Sequence, residues 1–368
     1  MTYDVAVIGG GPGGTSAAIT VARAGASVLL LERGAFPRQK VCGEFVSPES
    51  LHLLRSLLAS RSTKEVLSRP VEIRSSRTFI DGQMIATEIS PPAYSIPRYV
   101  LDSLLWQEAV AAGADCHQQV TVERVSHNTT GAARFALESA RGAFLARTVI
   151  NATGRWSNFK AETIKLPKGP KWIGLKAHFA EAEIRSHLEL HFFAGGYCGI
   201  APLGNGQINA CAMVRPDVAK TLNAVFRCDA QLEQRSSGWR AVTEEVTTAP
   251  LVFHTPSPVA DDVLLVGDAA GFIDPFVGDG ISMALHSGAM AATSVVKTGY
   301  DAGPAALRYK GEYARRLLPA FSNAARLRRL MSLPRITRWP VLKMMRVPGI
   351  SEFLLKQTRV GVGELERS

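Results

Sequence analysis

The chain alternates between runs that are apolar throughout and runs in which every second residue is apolar. DVAVIG (4–9) and SVLLLER (27–33) are short, β-rich and apolar on both faces, as in a sheet covered on both sides. TSAAITVARAG (15–25) lies between them with small residues at helical spacing. The three make one βαβ unit of about thirty residues. VEIRSSRTFIDGQMIATEIS, within 71–99, alternates on either side of Asp81-Gly82 and predicts a hairpin. SIPRYVLDSLLWQEAVAAGA (95–114) carries a helical stripe. QVTVERV (119–125), ARFALES (133–139) and ARTVINATG (146–154) predict further strands. So do KWIGLKAHFA, LELHFFAGGYCGIAPL and QINACAMV in 171–214, which together make a second sheet. DDVLLVGDAAGF (261–272) returns to a buried strand, a glycine turn and a helix.

Nucleotide-type elements thus stand at both ends and in the middle, with antiparallel segments between them, so the domains are discontinuous. The sequence assigns 1–70, 98–160 and 256–310 to a nucleotide-binding lobe and 71–97 with 161–255 to a β-sheet substrate lobe. Basic amphipathic helices are expected over 311–368.

Composition adds three points. At 368 residues, with 46% hydrophobic and 20% charged positions, the chain suits a two-lobed globular protein. MTYDVAVIGG enters the first strand without a signal-peptide pattern, and no apolar run reaches the length of a bilayer span. Five scattered cysteines form no CxxC pair, so neither a metal site nor a disulfide framework is expected. These features predict a cytoplasmic protein. The charge of +10 is concentrated at the end: residues 301–368 hold 14 Lys+Arg and 5 Asp+Glu. This tail contains no nucleic-acid-binding module. Its mixture of cations with Leu, Ile, Met and Trp fits packed surface helices, the simpler reading, or peripheral contact with the inner face of an anionic membrane.

Gly9-Gly10-Gly11-Pro12-Gly13-Gly14 is a GxGxxG in its proper setting, after a strand and at a helix start. Gly9 makes the tight turn, Gly11 lets backbone approach a pyrophosphate, and Gly14 lets the helix pack on the strand. Glu32, followed by Arg33, ends the second strand about twenty residues later, where a carboxylate accepts ribose hydroxyls. A second motif, GDAAGFIDPFVGDGI (267–281), follows a distant strand. A nicotinamide-only domain has no need of it.

Together these motifs resemble the FAD-binding pattern of the aromatic hydroxylase-type flavoproteins. The resemblance implies a mixed α/β and α+β fold, in which a Rossmann-type FAD-binding lobe (glutathione reductase-like) carries a β-sheet substrate lobe. It implies that Asp268 holds a ribitol hydroxyl and that Pro275, Gly278, Gly280 and Ile281 pass the isoalloxazine ring. Asn151–Ser157 is similar to the middle signature, with Thr153 where an Asp is usual and Gly154 at the turn. Arg98 matches an arginine that contacts the cofactor. FPRQKVCGEF (36–45) resembles the PRxKxCGE segment of geranylgeranyl reductases and their halogenase relatives, which brings Cys42 and Gly43 beside the flavin. Cys42 is read as a packing residue or backbone contact rather than a redox thiol.

Gly196–Asn209 resembles the reductases' GYxWxFPxGxxxxN segment, with Gly199 and Ala201 replacing the two large aromatics. Tyr197, Cys198 and Pro275 are the candidates for the cavity wall, and no catalytic acid or base stands out. His191, His254 and His286 read as core histidines, and Asp279 as a helix N-cap. The single fingerprint leaves no separate nicotinamide domain, so electrons are expected from transient NADPH or NADH, or from an external flavin reductase.

The substrate is expected to be an apolar small molecule. The two lost aromatics predict a roomier cavity for a bulky substrate and put monooxygenation first. Reduction of a C=C bond in an isoprenoid or polyketide-type lipid comes second, followed by halogenation and a non-catalytic flavin-binding role.

Overall fold

A computed structural model describes residues 2–60, 71–128, 133–155, 171–183, 185–331, 333–347 and 349–359. Trp156 and Ser157 of the middle signature, and the stretches 61–70 and 156–170 of the expected lobes, lie outside these residues.

Two sheets organise the molecule. The first contains β1 (Thr2–Ile8), β2 (Val28–Glu32), β6 (Asp115–Gln118), β7 (Val122–His127), β8 (Phe135–Ser139), β9 (Gly142–Asn151), β16 (Val259–Ala260) and β17 (Val263–Leu265). Its order is β16-β17-β9-β1-β2-β6, with the β7–β8 hairpin attached to β9. The strands from β17 to β6 run parallel. This explains their apolar composition: β2 is buried at every position.

The second sheet contains β3 (Phe45–Val46), β4 (Val71–Ile80), β5 (Gln83–Ser95), β10 (Trp172–Ala180), β11 (Leu188–Phe193), β12 (Gly196–Gly204), β13 (Gln207–Val214), β14 (Arg240–Ala241) and β15 (Val246–Leu251). Its order is β14-β10-β13-β12-β11-β4-β5-β3, with β15 on β10. The hairpin expected around Asp81-Gly82 is β4–β5, turning at those two residues with Asp81 at φ 53 and Gly82 at φ 76. The stretch from Phe36 enters β3, which pairs with β5, and then a short helix.

The helices are α1 (Pro12–Arg23), α2 (Pro48–Leu57), α3 (Arg98–Ala111), α4 (Leu222–Phe226), α5 (Ala230–Ser236), α6 (Gly280–Lys297), α7 (Ala302–Arg316), α8 (Leu318–Met331), α9 (Arg335–Met345) and α10 (Ile350–Gln357). The largest core joins β1, β2 and β9 to α1, α3, α6 and α7 through Val5, Val7, Ile19, Leu30, Leu105 and Tyr309. Helix α6 crosses α1 so closely that a Cβ on Gly288 would sit 2.1 Å from Gly13 O.

The helix expected directly after DDVLLVGDAAGF is displaced. Gly267–Ala269 and Pro275–Val277 form single 3₁₀ turns, and α6 starts only at Gly280. Gly267 opens the first turn at φ 58, and Gly278, left-handed at φ 72, ends the second. The chain from 267 to 280 lines the cleft between the sheets through Gly267, Asp268, Phe272, Ile273, Pro275, Gly278 and Gly280.

Among the described residues, no helix is long and apolar enough to cross a membrane.

Candidate active site between the two sheets

A cleft of about 580 Å³ lies between the sheets, within the range of small-molecule sites. One side is built from glycines. Gly9 turns off β1 with φ 107, and a Cβ there would stand 2.3 Å from Ala152 O. A Cβ on Gly14 would stand 1.8 Å from Gly9 O, so α1 packs on the turn only with glycine at that position. Gly14 therefore acts on packing and does not line the cleft. The Cβ directions of Gly11, Gly43 and Gly280 meet nothing within 4 Å.

Glu32 closes this end. Its Oε2 accepts from Gly10 N at 2.8 Å, and its Oε1 accepts from Gly34 N at 2.7 Å and pairs with Arg38 at 2.8 Å. Arg38 Nε is buried without a hydrogen-bond partner among the described residues. Pro12, Gly13 and Arg33 complete this wall.

Cys42, Gly43, Arg98, Gly154, Asp268, Pro275, Gly278 and Ile281 all reach the cleft. Arg98 is fixed by Asp102 through bonds of 2.8 and 2.7 Å. Asp268 faces Arg155 at 3.7 Å. Burial pushes the Cys42 thiol up, and Asn209 donates to the Cys42 carbonyl at 2.9 Å. The loop is thus held through the Cys42 backbone.

Asp279 is not the N-cap expected of it, because its side chain bonds no first-turn N–H. It turns inward, accepts from Ser47 Oγ at 3.0 Å and meets Arg359 at 3.4 Å. The start of α6 is therefore left without a side-chain cap, and Gly280 and Ile281 face the cleft. A helix start of this kind favours a partial negative charge.

Strand parity decides the opposite wall. Tyr197 pairs with Met213, and Gly199 with Cys211. Odd positions of β12 face the cleft side and even ones face away. Cys198 is consequently fully buried on the far side, among Phe179, Ile200 and Val225, and is not a cavity residue. Cys211 takes that place in the lining.

Large apolar side chains pack around Gly199 and Tyr197. Leu190 Cδ2 lies 3.4 Å from where a Cβ on Gly199 would be. Phe192 of β11 and Phe276 lie 5.5 and 6.1 Å from the Tyr197 ring and 5.8 Å from each other. Phe253 stacks on Phe272 at 5.3 Å.

Sequence reasoning missed the polar strut beneath the site. Glu44 is fully buried with φ 58. Its carboxylate accepts from Lys176 at 2.7 Å and from Arg98 N at 2.8 Å, and meets His178 Nε2 at 2.8 Å. Lys176 also reaches Gln39. Burial alone would raise the Glu44 carboxyl, but His178 and Lys176 hold it below its ordinary value. The signal was available: Lys176, in the middle of the apolar run WIGLKAHFA, needs a buried acid. The three histidines noted in the sequence lie outside the cleft lining. His191 is clamped by Glu189 and Asp229, His254 meets its neighbour's carbonyl, and His286 is buried.

The open glycine cradle, the unpartnered Arg38 Nε and the uncapped start of α6 together fit a long, polar, pyrophosphate-bearing cofactor. A pattern described as "FAD binding domain" matches residues 2–297. The chain belongs to this FAD binding domain family. The menaquinone reductase of Mycolicibacterium smegmatis is 30% identical over 361 residues, covering 90% of this chain and 85% of that one. Digeranylgeranylglycerophospholipid reductase 2 of Methanopyrus kandleri is 28% identical, over 79% and 76% of the two chains. The flavin-dependent brominase Bmp2 superposes with a TM-score of 0.80 at 17% identity, over 97% of this chain and 93% of its own, and so shares the fold. As an FAD binding domain family member, the protein is a flavin-dependent oxidoreductase.

Proposed function

We propose that the protein is an FAD-dependent reductase that saturates a C=C bond in an apolar, polyprenyl-type lipid. The observation that carries this reading is the wall facing Pro275. Tyr197, Met213 and Leu251 form a buried apolar cluster with Phe192, Phe272 and Phe276 against it. Such a wall holds a hydrocarbon chain and keeps water from the reacting bond. The two curated relatives, both reductases of apolar lipids by their names, support it. The small residues at Gly199 and Ala201 favour monooxygenation in the sequence; the apolar cluster around Tyr197 and the two reductase relatives favour reduction instead.

Glu32, the α1 N-terminus, Gly43, Arg98 and Asp268 would hold the cofactor, and FAD, when bound and reduced, would supply a hydride, that is both electrons and one of the two hydrogens. NADPH or NADH in transient contact, or a separate flavin reductase, would replenish them. Saturating a C=C bond also takes a proton. Tyr197 lines the cavity, and burial keeps its hydroxyl protonated. We assign it as the proton donor. The test is product analysis with NADPH, FAD and a soluble short-chain polyprenyl lipid. A product heavier by two hydrogens is expected, and one heavier by an oxygen atom would mean oxygenation.

A further inference from the structure

Helix α9 has two apolar faces. The inner one is packed: Leu342 is buried with Ile80 and Ile85 of the β4–β5 hairpin, against Phe192, Met331 and Met345. Arg338 clamps Asp81 at the hairpin tip through two bonds of 2.6 Å. The outer face is uncovered. Ile336 is 88% exposed, and Trp339 and Met344 are about half exposed. Val347 and Phe353 continue the patch onto α10, with Phe353 at 61%. Six of the ten exposed large hydrophobic residues in the described chain fall between Leu333 and Phe353.

A helix facing water normally turns polar residues outward, and a contiguous apolar patch marks an interaction surface. Its chemistry selects the partner. Exposed Arg335, Lys343, Arg346 and Lys356 are interleaved with the apolar residues, and Glu352 is the one acid between 333 and 359. The Lys343 ammonium lies 5.2 Å from the centre of the Trp339 ring. Nucleic acid would use the cations but leave Ile336 and Phe353 in water. The dry core of a protein interface is depleted in lysine. An anionic bilayer takes both kinds of group at once, with apolar side chains in the acyl boundary, cations at the headgroups and a tryptophan at the interface. Phe192, which packs under α9, also meets the Phe276 ring at 5.8 Å, so this surface is joined by side-chain packing to the apolar cluster around Tyr197.

We propose that the outer face of α9 and α10 docks on the surface of an anionic lipid bilayer. The inference does not depend on which reaction the cavity performs. Vesicle flotation of the FAD-loaded protein tests it without substrate. Binding is expected to vesicles of equal phosphatidylcholine and phosphatidylglycerol, to weaken with salt, and to be slight on phosphatidylcholine alone. The variant Ile336→Glu/Trp339→Glu/Phe353→Glu should lower the partition coefficient at least about tenfold, with the flavin spectrum unchanged. Brominated lipid should quench tryptophan fluorescence in the native protein and much less in Trp339→Phe. Absence of flotation, equal binding to both vesicle types, or undiminished binding of the triple variant would overturn the proposal.

Discussion

The two walls of the cleft are specified in different ways. The cofactor wall is set by backbone: at Gly9 and Gly14 a side chain would strike a carbonyl oxygen, and at Gly11 it would enter the cradle. The substrate wall is set by side chains from β11, β12, β13, the end of β15 and the 272–276 segment. A backbone requirement leaves a fixed sequence spacing. A wall assembled from segments far apart in the chain does not.

The largest effect should separate the two roles of the glycine loop. Gly14→Val is expected to abolish both FAD binding and the native fold, read by flavin absorbance and circular dichroism. Gly11→Ala should fold with nearly unchanged Tm and bind FAD at least about tenfold more weakly, since its Cβ enters the cradle. Equal behaviour of the two would break the distinction between packing and cradle.

The strut that joins the walls comes next. Glu44→Gln leaves the fully buried Lys176 without its carboxylate and should cost about 3–5 kcal/mol in chemical denaturation. Adding Lys176→Met should restore part of that loss. An exposed pair would show almost no cost.

Tyr197→Phe sharpens the substrate side. FAD affinity should be unchanged and kcat should fall about 10²-fold or more. The solvent isotope effect on kcat should change with it, which lost packing alone would not produce.

The smallest effect concerns Asp274. Burial pushes its carboxyl up to about 7, against the pull of Arg328 at 3.2 Å. The native state keeps this proton where the unfolded chain has released it, so the contribution to stability is lost as pH rises from about 4 to 7. Asp274→Asn should flatten that part of the Tm–pH curve. Some slope should remain from Asp279, raised by burial to about 6. An unaltered slope would contradict the assignment.

The elements and the cofactor half of the site were legible because they rest on local rules. Periodicity placed the hairpin at Asp81-Gly82, and glycine spacing placed the phosphate turn. Cys198 was misplaced because strand parity depends on pairing with β13, which sequence alone does not set. Asp279 was misread because Ser47 and Arg359, distant in the chain, draw its carboxylate away from the helix start. Glu44 stands within FPRQKVCGEF, yet its partners Lys176 and His178 lie more than a hundred residues away.

The central claim is that the cavity reduces a polyprenyl-type lipid. Its most direct test is to reduce the FAD-loaded protein anaerobically and mix it with a short-chain polyprenyl lipid, following flavin absorbance. The account predicts that the lipid alone reoxidises the flavin without oxygen, and that Tyr197→Phe slows this step. Flavin that stays reduced until oxygen is admitted, with or without the lipid, would contradict it.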